Sequence, residues 1–166
     1  TAGSACSMLA GQALAEPRGA QVVHGDVAIR QRGDRTIIRA SDGAIINYRS
    51  FDIRAGERVR FVQPDQSSRV LNRINSSTPT RIDGTIRANG QVFIVNPAGV
   101  VFGQGSVVDA SRVFAAAGSI SDRDFLSGTL RFTNLSGAVV NDGLLTGEQV
   151  HLIGQTIANH GRIVAD

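Results

Sequence analysis

The same corner occurs twice near the end of this chain, each time ahead of the same kind of strand. Val140-Asn141-Asp142-Gly143-Leu144-Leu145-Thr146 and Ala158-Asn159-His160-Gly161-Arg162-Ile163-Val164 share the pattern Asn-x-Gly-x-(Leu/Ile), with Gly143 and Gly161 set 18 residues apart. Ile82-Asp83-Gly84-Thr85-Ile86 is a weaker copy. Stacked coils of a parallel β-helix produce such a pattern, because one coil cannot bury its inner face alone and equivalent residues must meet on the next. A β-sandwich would show similar strand lengths without needing one corner to recur. Asn141 and Asn159 are read as corner residues that tolerate left-handed backbone, with Gly143 and Gly161 completing the turns.

The rest of the chain agrees with an all-β fold. Thr36 to Arg39, Ala44 to Tyr48, Phe51 to Ile53 and Arg58 to Val62 have strand length, with Asp42-Gly43 and Ala55-Gly56 as turns. Arg58-Val59-Arg60-Phe61 alternates strictly, putting Val59 and Phe61 on one face and the arginines on the other. The inner face is expected to include Val59, Phe61, Val92, Ile94, Leu144 and Ile163. Gln21 to Arg32, with Val27 and Ile29 on one face, is a candidate cap over the first coil. Helical periodicity is almost absent, and 19 glycines with 5% aromatic residues suit a fold of many corners.

All 17 basic residues are arginine, yet 14 carboxylates leave a formal charge of only +3. Arg30, Arg32, Arg35, Arg39, Arg58 and Arg60 cluster in sequence, but interleaved aspartates and few aromatics argue against a nucleic-acid groove. They read as a solvated, arginine-rich strand surface. The single cysteine, Cys6, excludes an intrachain disulfide. It lies in TAGSACSMLAGQALAEP, where Ala13-Leu14-Ala15 before Glu16-Pro17 has the form of a secretory cleavage site. Residues 1–15 are read as a truncated signal-peptide remnant, an ordinary apolar terminus being the open alternative. Residues 16–166 are read as the β-helix domain, continuing into a longer polypeptide.

Nothing in the sequence calls for a metal or a cofactor: His24, His151 and His160 are scattered without ligand spacing. Asp122 and Asp124 would share one strand face and could imitate the carboxylate pair of a carbohydrate-active enzyme. Their setting in Ser121-Asp122-Arg123-Asp124 reads better as a turn or cap, so no catalytic residue is assigned.

The most specified corner lies between the apolar runs Val92 to Val95 and Val100 to Phe102. Asn96-Pro97-Ala98-Gly99 joins them, bracketed by Asn89-Gly90 and Gly103-Gln104-Gly105. Pro97 presets φ at the second position of a β-turn, Asn96 can bond back to the backbone from the first, and Gly99 suits the last. Ala98 disfavours positive φ, which selects type I over type II.

Val70-Leu71-Asn72-Arg73-Ile74, followed by the run from Ile82 to Gly103, closely resembles the N-terminal secretion domain of filamentous haemagglutinin-like exoproteins of two-partner secretion, also called the haemagglutination activity domain. Ala44 to Ile53 and Ile120 to Leu126 extend the likeness in the same order, so that it covers nearly all of residues 16–166. The resemblance implies a right-handed parallel β-helix with an N-terminal β-cap and extra-helical strands. It further implies a secretion and targeting module that nucleates β-helix folding outside the cell. Its partner would be a cognate outer-membrane β-barrel transporter, whose periplasmic modules recognise the domain in an extended, non-native state. The exoprotein would then reach the cell surface or the medium through the periplasm and outer membrane.

The family's signature regions map onto Asn72 with Arg73, and onto Asn96, Pro97, Gly99 and Val100. Where the family commonly has Asn-Pro-Asn-Gly-Ile, this chain has Ala98 and Val100. Asn72, in a short polar interruption, is expected to matter for secretion with the fold intact, whereas Pro97→Ala should mainly cost stability, ~0.4 to 1 kcal/mol. A glycan-binding adhesive module is the alternative from another class, with host-cell glycans or receptors engaged by the rest of the exoprotein.

Overall fold

The structure is a computed structural model that describes residues 17–166, so the expected signal remnant lies outside the described residues. In chain order the strands are β1 (Gln21–His24), β2 (Val27–Arg32), β3 (Arg35–Ala40), β4 (Ala44–Tyr48), β5 (Arg58–Val62), β6 (Arg69–Ile74), β7 (Thr80–Ile82) and β8 (Thr85–Ala88). They continue as β9 (Gln91–Val95), β10 (Val100–Phe102), β11 (Val107–Asp109) and β12 (Arg112–Ala116). A short helix, α1 (Asp122–Ser127), precedes β13 (Ala138–Asn141), β14 (Leu144–Gly147), β15 (Gln149–Ile153), β16 (Thr156–Asn159) and β17 (Arg162–Ala165).

From β3 onward the chain winds repeatedly through a seven-stranded, a six-stranded and a four-stranded sheet, and each strand pairs in parallel with its counterpart one coil away. This is a parallel β-helix. One register row of the seven-stranded sheet runs Arg35, Arg58, Thr85, Val107, Leu144 and Arg162, so successive coils advance by 23, 27, 22, 37 and 18 residues. The 18-residue period seen in the sequence belongs to the last coil alone. Earlier coils lengthen at their corners while the strands keep register.

The adjacent row is the core. Thr36, Val59, Ile86, Val108 and Leu145 stack inward one above another, each at most 6% exposed. Val59, Phe61, Val92 and Ile94 lie in this interior as expected. Leu144 does not. Leu145 is the inward residue, and Leu144 sits in the outward row, because a one-residue slip in a strand exchanges its faces. Ile163 aligns with Leu145 but is 36% exposed, since it belongs to the last coil described.

The expected cap is real but works differently. β1 pairs antiparallel with β4, and β2 with β3, so the cap occupies two open sheet edges. Val27 packs against the core, whereas Ile29 is 41% exposed. Phe51 to Ile53 is no strand: one bridge from Ile53 to Ile82 marks its place. The Asp52 side chain there accepts from the backbone N–H of Arg81 at 2.9 Å, replacing a ladder bond.

The 37-residue coil contains the helix that sequence periodicity missed, and this places Asp122 and Asp124 in a first helical turn instead of on a strand. Ser121 caps α1, its Oγ accepting from the Asp124 N–H at 3.1 Å, and Gly128 ends it at φ 79°. Phe125 is the buried residue of the helix. It meets Phe93 edge to face at 5.2 Å on the outside of the six-stranded sheet, and Phe93 stacks on Phe114 at 4.1 Å. A second apolar cluster, Ile45, Leu71, Phe93, Val95, Phe114 and Phe125 among its members, is thereby covered from outside.

Candidate functional site

Asn72 is the centre of β6, not a polar interruption: it points into the β-helix and is 0% exposed. Its Oδ1 accepts from the Tyr48 hydroxyl at 2.8 Å and its Nδ2 donates to the Phe93 carbonyl at 3.1 Å. Burial pushes the Tyr48 phenol well above the ordinary tyrosine range. Arg73, the next residue, faces the other way. Its guanidinium donates to Asn47 Oδ1 at 2.9 Å and to the Ile120 carbonyl at 3.1 Å, and forms an ion pair with Asp122. Arg69, four residues earlier on the same face, donates to the Phe125 carbonyl at 2.8 Å and lies over its ring at 4.4 Å. These two arginines fasten α1 to the sheet.

Asn96 is a second buried hub. The turn is closed by Gly99 N–H donating to the Asn96 carbonyl at 3.0 Å, and Asn96 Oδ1 accepts from the Ala98 N–H at 2.9 Å. Its Nδ2 lies 3.0 Å from Thr80 Oγ1 and 3.2 Å from both Ser76 Oγ and the Thr78 carbonyl, tying the corner to the coil before it. Ala98 is not at positive φ, in keeping with type I, while Gly99 has φ 128°. Val100, fully buried, pairs with Thr80 on one side and Val139 on the other. Pro97 stays partly exposed.

The two signature regions meet at one place. Arg73 and Pro97 line a surface depression of about 380 Å³ together with Arg49, Asn75 and Ser119. Asn72 and Asn96 lie beneath the surface.

The other corner residues are structural, though not through left-handed backbone. Neither Asn141, Gly143, Asn159 nor Gly161 has positive φ. Asn141 instead accepts from the Gly143 N–H at 3.0 Å and donates to Asn159 Oδ1 at 2.9 Å, a side-chain ladder from coil to coil. Glycine is needed because a Cβ on Gly143 would lie 2.1 Å from Ser106 Oγ and 2.7 Å from two carbonyls. A Cβ on Gly161 would lie 2.2 Å from the Gly143 carbonyl, and one on Gly103 would strike Asp83 Oδ1. Asn89 exchanges two bonds with the Gln63 backbone, and the Gly90 N–H donates to Gln63 Oε1 at 3.1 Å. Gln63, 5% exposed, is a buried hub that sequence reasoning missed, and nothing local distinguishes it from a surface glutamine. Arg69 was missed too, although its i, i+4 spacing from Arg73 in a strand marks a shared face.

Among the described residues no group of three His, Cys, Asp or Glu side chains is placed to hold a metal ion. What the arrangement provides is a set of signature side chains whose polar atoms are consumed by the fold.

Residues 13–166 match the TPS secretion domain. The chain belongs to the TPS secretion domain family. The HMW1 secretion domain from Haemophilus influenzae, solved as a crystal structure, is similar at a TM-score of 0.85 with 34% identity, over 89% of this chain and 42% of that one. Two proteins named heme/hemopexin-binding protein from Haemophilus influenzae are each 32% identical, one over 162 residues and one over 119. Those matches cover 90% and 70% of this chain but 18% and 13% of the relatives, so the TPS domain spans less than a fifth of their length. It is a secretion module of the exoprotein type, built as a parallel β-helix.

Proposed function

We propose that this TPS domain is read by an outer-membrane transporter as an extended chain, and that folding outside the cell then withdraws the signal. The observation that supports this reading is the burial of Asn72 and Asn96, each 0% exposed and hydrogen-bonded internally. A partner reaches these side chains only before the coils close. Val100 and Gly99 are buried in the same corner, which leaves Arg73 and Pro97 as the signature residues accessible after folding. Export then gains direction from folding itself, because a closed coil no longer offers the transporter those groups. The exoprotein that carries the domain passes through the periplasm and outer membrane to the surface or the medium.

The experiment is a staple between coils. Thr85 and Val107 are register partners with outward, half-buried side chains, so cysteines at both positions can join adjacent strands. In a Cys6→Ser background the oxidised T85C/V107C variant should remain in the periplasm and be released when reductant is added, while each single variant is secreted like the parent. Full secretion of the oxidised double variant would overturn the proposal.

A further inference from the structure

The arginine-rich strand surface read in the sequence is assembled on one face by the coils and the cap strand β2. On the outside of the seven-stranded sheet, Arg32 stands opposite Arg35, and Arg35 opposite Arg58. In the next outward row Arg30 stands opposite Ile37, which is followed by Arg60 and Arg87. Arg39 completes the face, and all of these guanidinium-bearing residues are exposed. Arg35, Arg58, Arg60 and Arg87 line one depression of about 260 Å³, and Arg30 and Arg39 a neighbouring one of about 330 Å³.

Like charges directly opposite one another destabilise a sheet. Here the repulsion is relieved at one edge only, where Arg87 pairs with Asp109 at 3.2 Å. Among the described residues Arg30, Arg32, Arg35, Arg39, Arg58 and Arg60 make no ion pair or side-chain hydrogen bond. Two carboxylates next to Arg35 and Arg58 in sequence form no ion pair with these arginines: Asp34 lies in the β2–β3 turn, and Glu57 accepts from the Arg54 N–H. Seven of the 17 arginines thus stand on this one face.

We propose that this face is a docking surface for a linear acidic polysaccharide, held through its sulfate or carboxylate groups by Arg32, Arg35, Arg58 and Arg60 with Arg30 and Arg39 beside them. Guanidinium forks match such anions in bidentate geometry. Strands about 4.8 Å apart, with outward residues about 6.6 Å apart along each, present them as a flat two-dimensional array. A polymer with repeating anionic groups is complementary to that array, whereas a single small anion meets only one or two forks. A lipid surface fits less well, since Ile29, the exposed apolar residue on these strands, lies opposite Ile38 on the other side of β2. Nucleic acid fits less well because the one aromatic residue on β2, β3, β5 and β8, Phe61, points into the core.

The test uses the whole chain and heparin as the sulfated probe, with chemically desulfated heparin, phosphatidylglycerol vesicles and a single-stranded oligonucleotide as the other arms. At about 0.1 M salt, where long-range attraction is screened, heparin should bind and its affinity should fall steeply as salt is raised. Arg35→Ser/Arg58→Ser/Arg60→Ser should weaken binding about tenfold or more, while the charge-matched Arg54→Ser/Arg123→Ser/Arg131→Ser loses about twofold or less. Desulfated heparin that retains its carboxylates should bind more weakly than heparin and lose affinity in the same arginine variant. The melting temperature of the first variant should be equal to or above that of the parent, which excludes misfolding as the cause. Equal weakening in both triple variants would reduce the effect to net charge and overturn the proposal. So would tighter binding of vesicles or oligonucleotide than of heparin at the same ionic strength.

Discussion

The Tyr48 hydroxyl donates to Asn72 Oδ1 at 2.8 Å inside the β-helix, and Asn72 passes the connection on to the Phe93 carbonyl at 3.1 Å. Tyr48, Asn72 and Phe93 belong to three successive strands of one sheet, so a polar thread crosses three coils of a largely apolar interior. Asn72→Ala strips both partners at once. Leaving buried polar groups unpaired costs about 1 to 3 kcal/mol each, and we expect urea unfolding to show a loss of about 2 to 5 kcal/mol. A loss under ~1 kcal/mol would mean that water replaces the amide. The expectation that this variant secretes poorly with its fold intact therefore changes. Asn72→Ala must be compared with an equally destabilised core variant, and only secretion below that reference assigns Asn72 to transporter recognition.

Tyr48 is the single tyrosine in the chain, which makes its ionisation directly visible in near-ultraviolet absorbance. Burial raises its pKa in the folded state, whereas in the unfolded chain the phenol titrates near ~10. Below that pH both states hold the proton and stability is unaffected. Above it the unfolded chain alone releases the proton, so stability falls by up to about 1.4 kcal/mol per pH unit until the folded phenol ionises. Native protein should show no tyrosinate signal until it unfolds, and Tyr48→Phe should lack this contribution to alkaline destabilisation. A native titration near pH ~10 would place the ring in solvent.

Two glycines separate crowding from backbone strain. Gly143→Ala drives a Cβ onto Ser106 and two carbonyls of the preceding coil, and we expect a loss of about 3 kcal/mol or more in thermal or denaturant unfolding. Gly33→Ala meets no atom within 4 Å but must adopt φ 61°, which should cost about 1 to 2 kcal/mol. Reversed magnitudes would show that the coil spacing relaxes easily.

Ile94 and Ile163 both point toward the axis, yet Ile94 is fully buried and Ile163 is 36% exposed. Ile94→Ala should cost about 2 to 5 kcal/mol, and Ile163→Ala under ~1 kcal/mol, by equilibrium unfolding of the 166-residue chain.

Arg73 joins β6 to the excursion that carries α1 through Asn47, Ile120 and Asp122. Arg73→Ala should lower global stability by only ~1 kcal/mol, because the ion pair is partly solvated. Amide exchange in 118–136 should nevertheless accelerate while β9 and β12 remain protected, since local openings are governed by the contacts that hold a segment down. Uniform acceleration across both regions would mean that the excursion and the coils open as one unit.

The sequence by itself determined the all-β class, the alternation of strand faces and the corner chemistry, because these depend on neighbours a few residues apart. Arg58-Val59-Arg60-Phe61 shows its inner face without any structure, and Asn96-Pro97-Ala98-Gly99 shows its turn. Even α1 left a signal in the Ser121 cap with Asp124 three residues later and Gly128 beyond, but six residues are too few to show a helical period. Tertiary structure alone decided the rest. The choice of Leu145 over Leu144 was made by register with Val108, since two adjacent leucines carry no local difference. The requirement for glycine at 143 and 161 arises from carbonyls of the preceding coil, not from the φ of the residue itself. Coil lengths from 18 to 37 residues hide the repeat from any fixed period, although strand pairing restores it. For the same reason the arginines of β3, β5 and β8 come together only once parallel stacking sets every second residue of each strand beside its counterpart one coil away, and the antiparallel β2–β3 pair adds those of β2 to the same face.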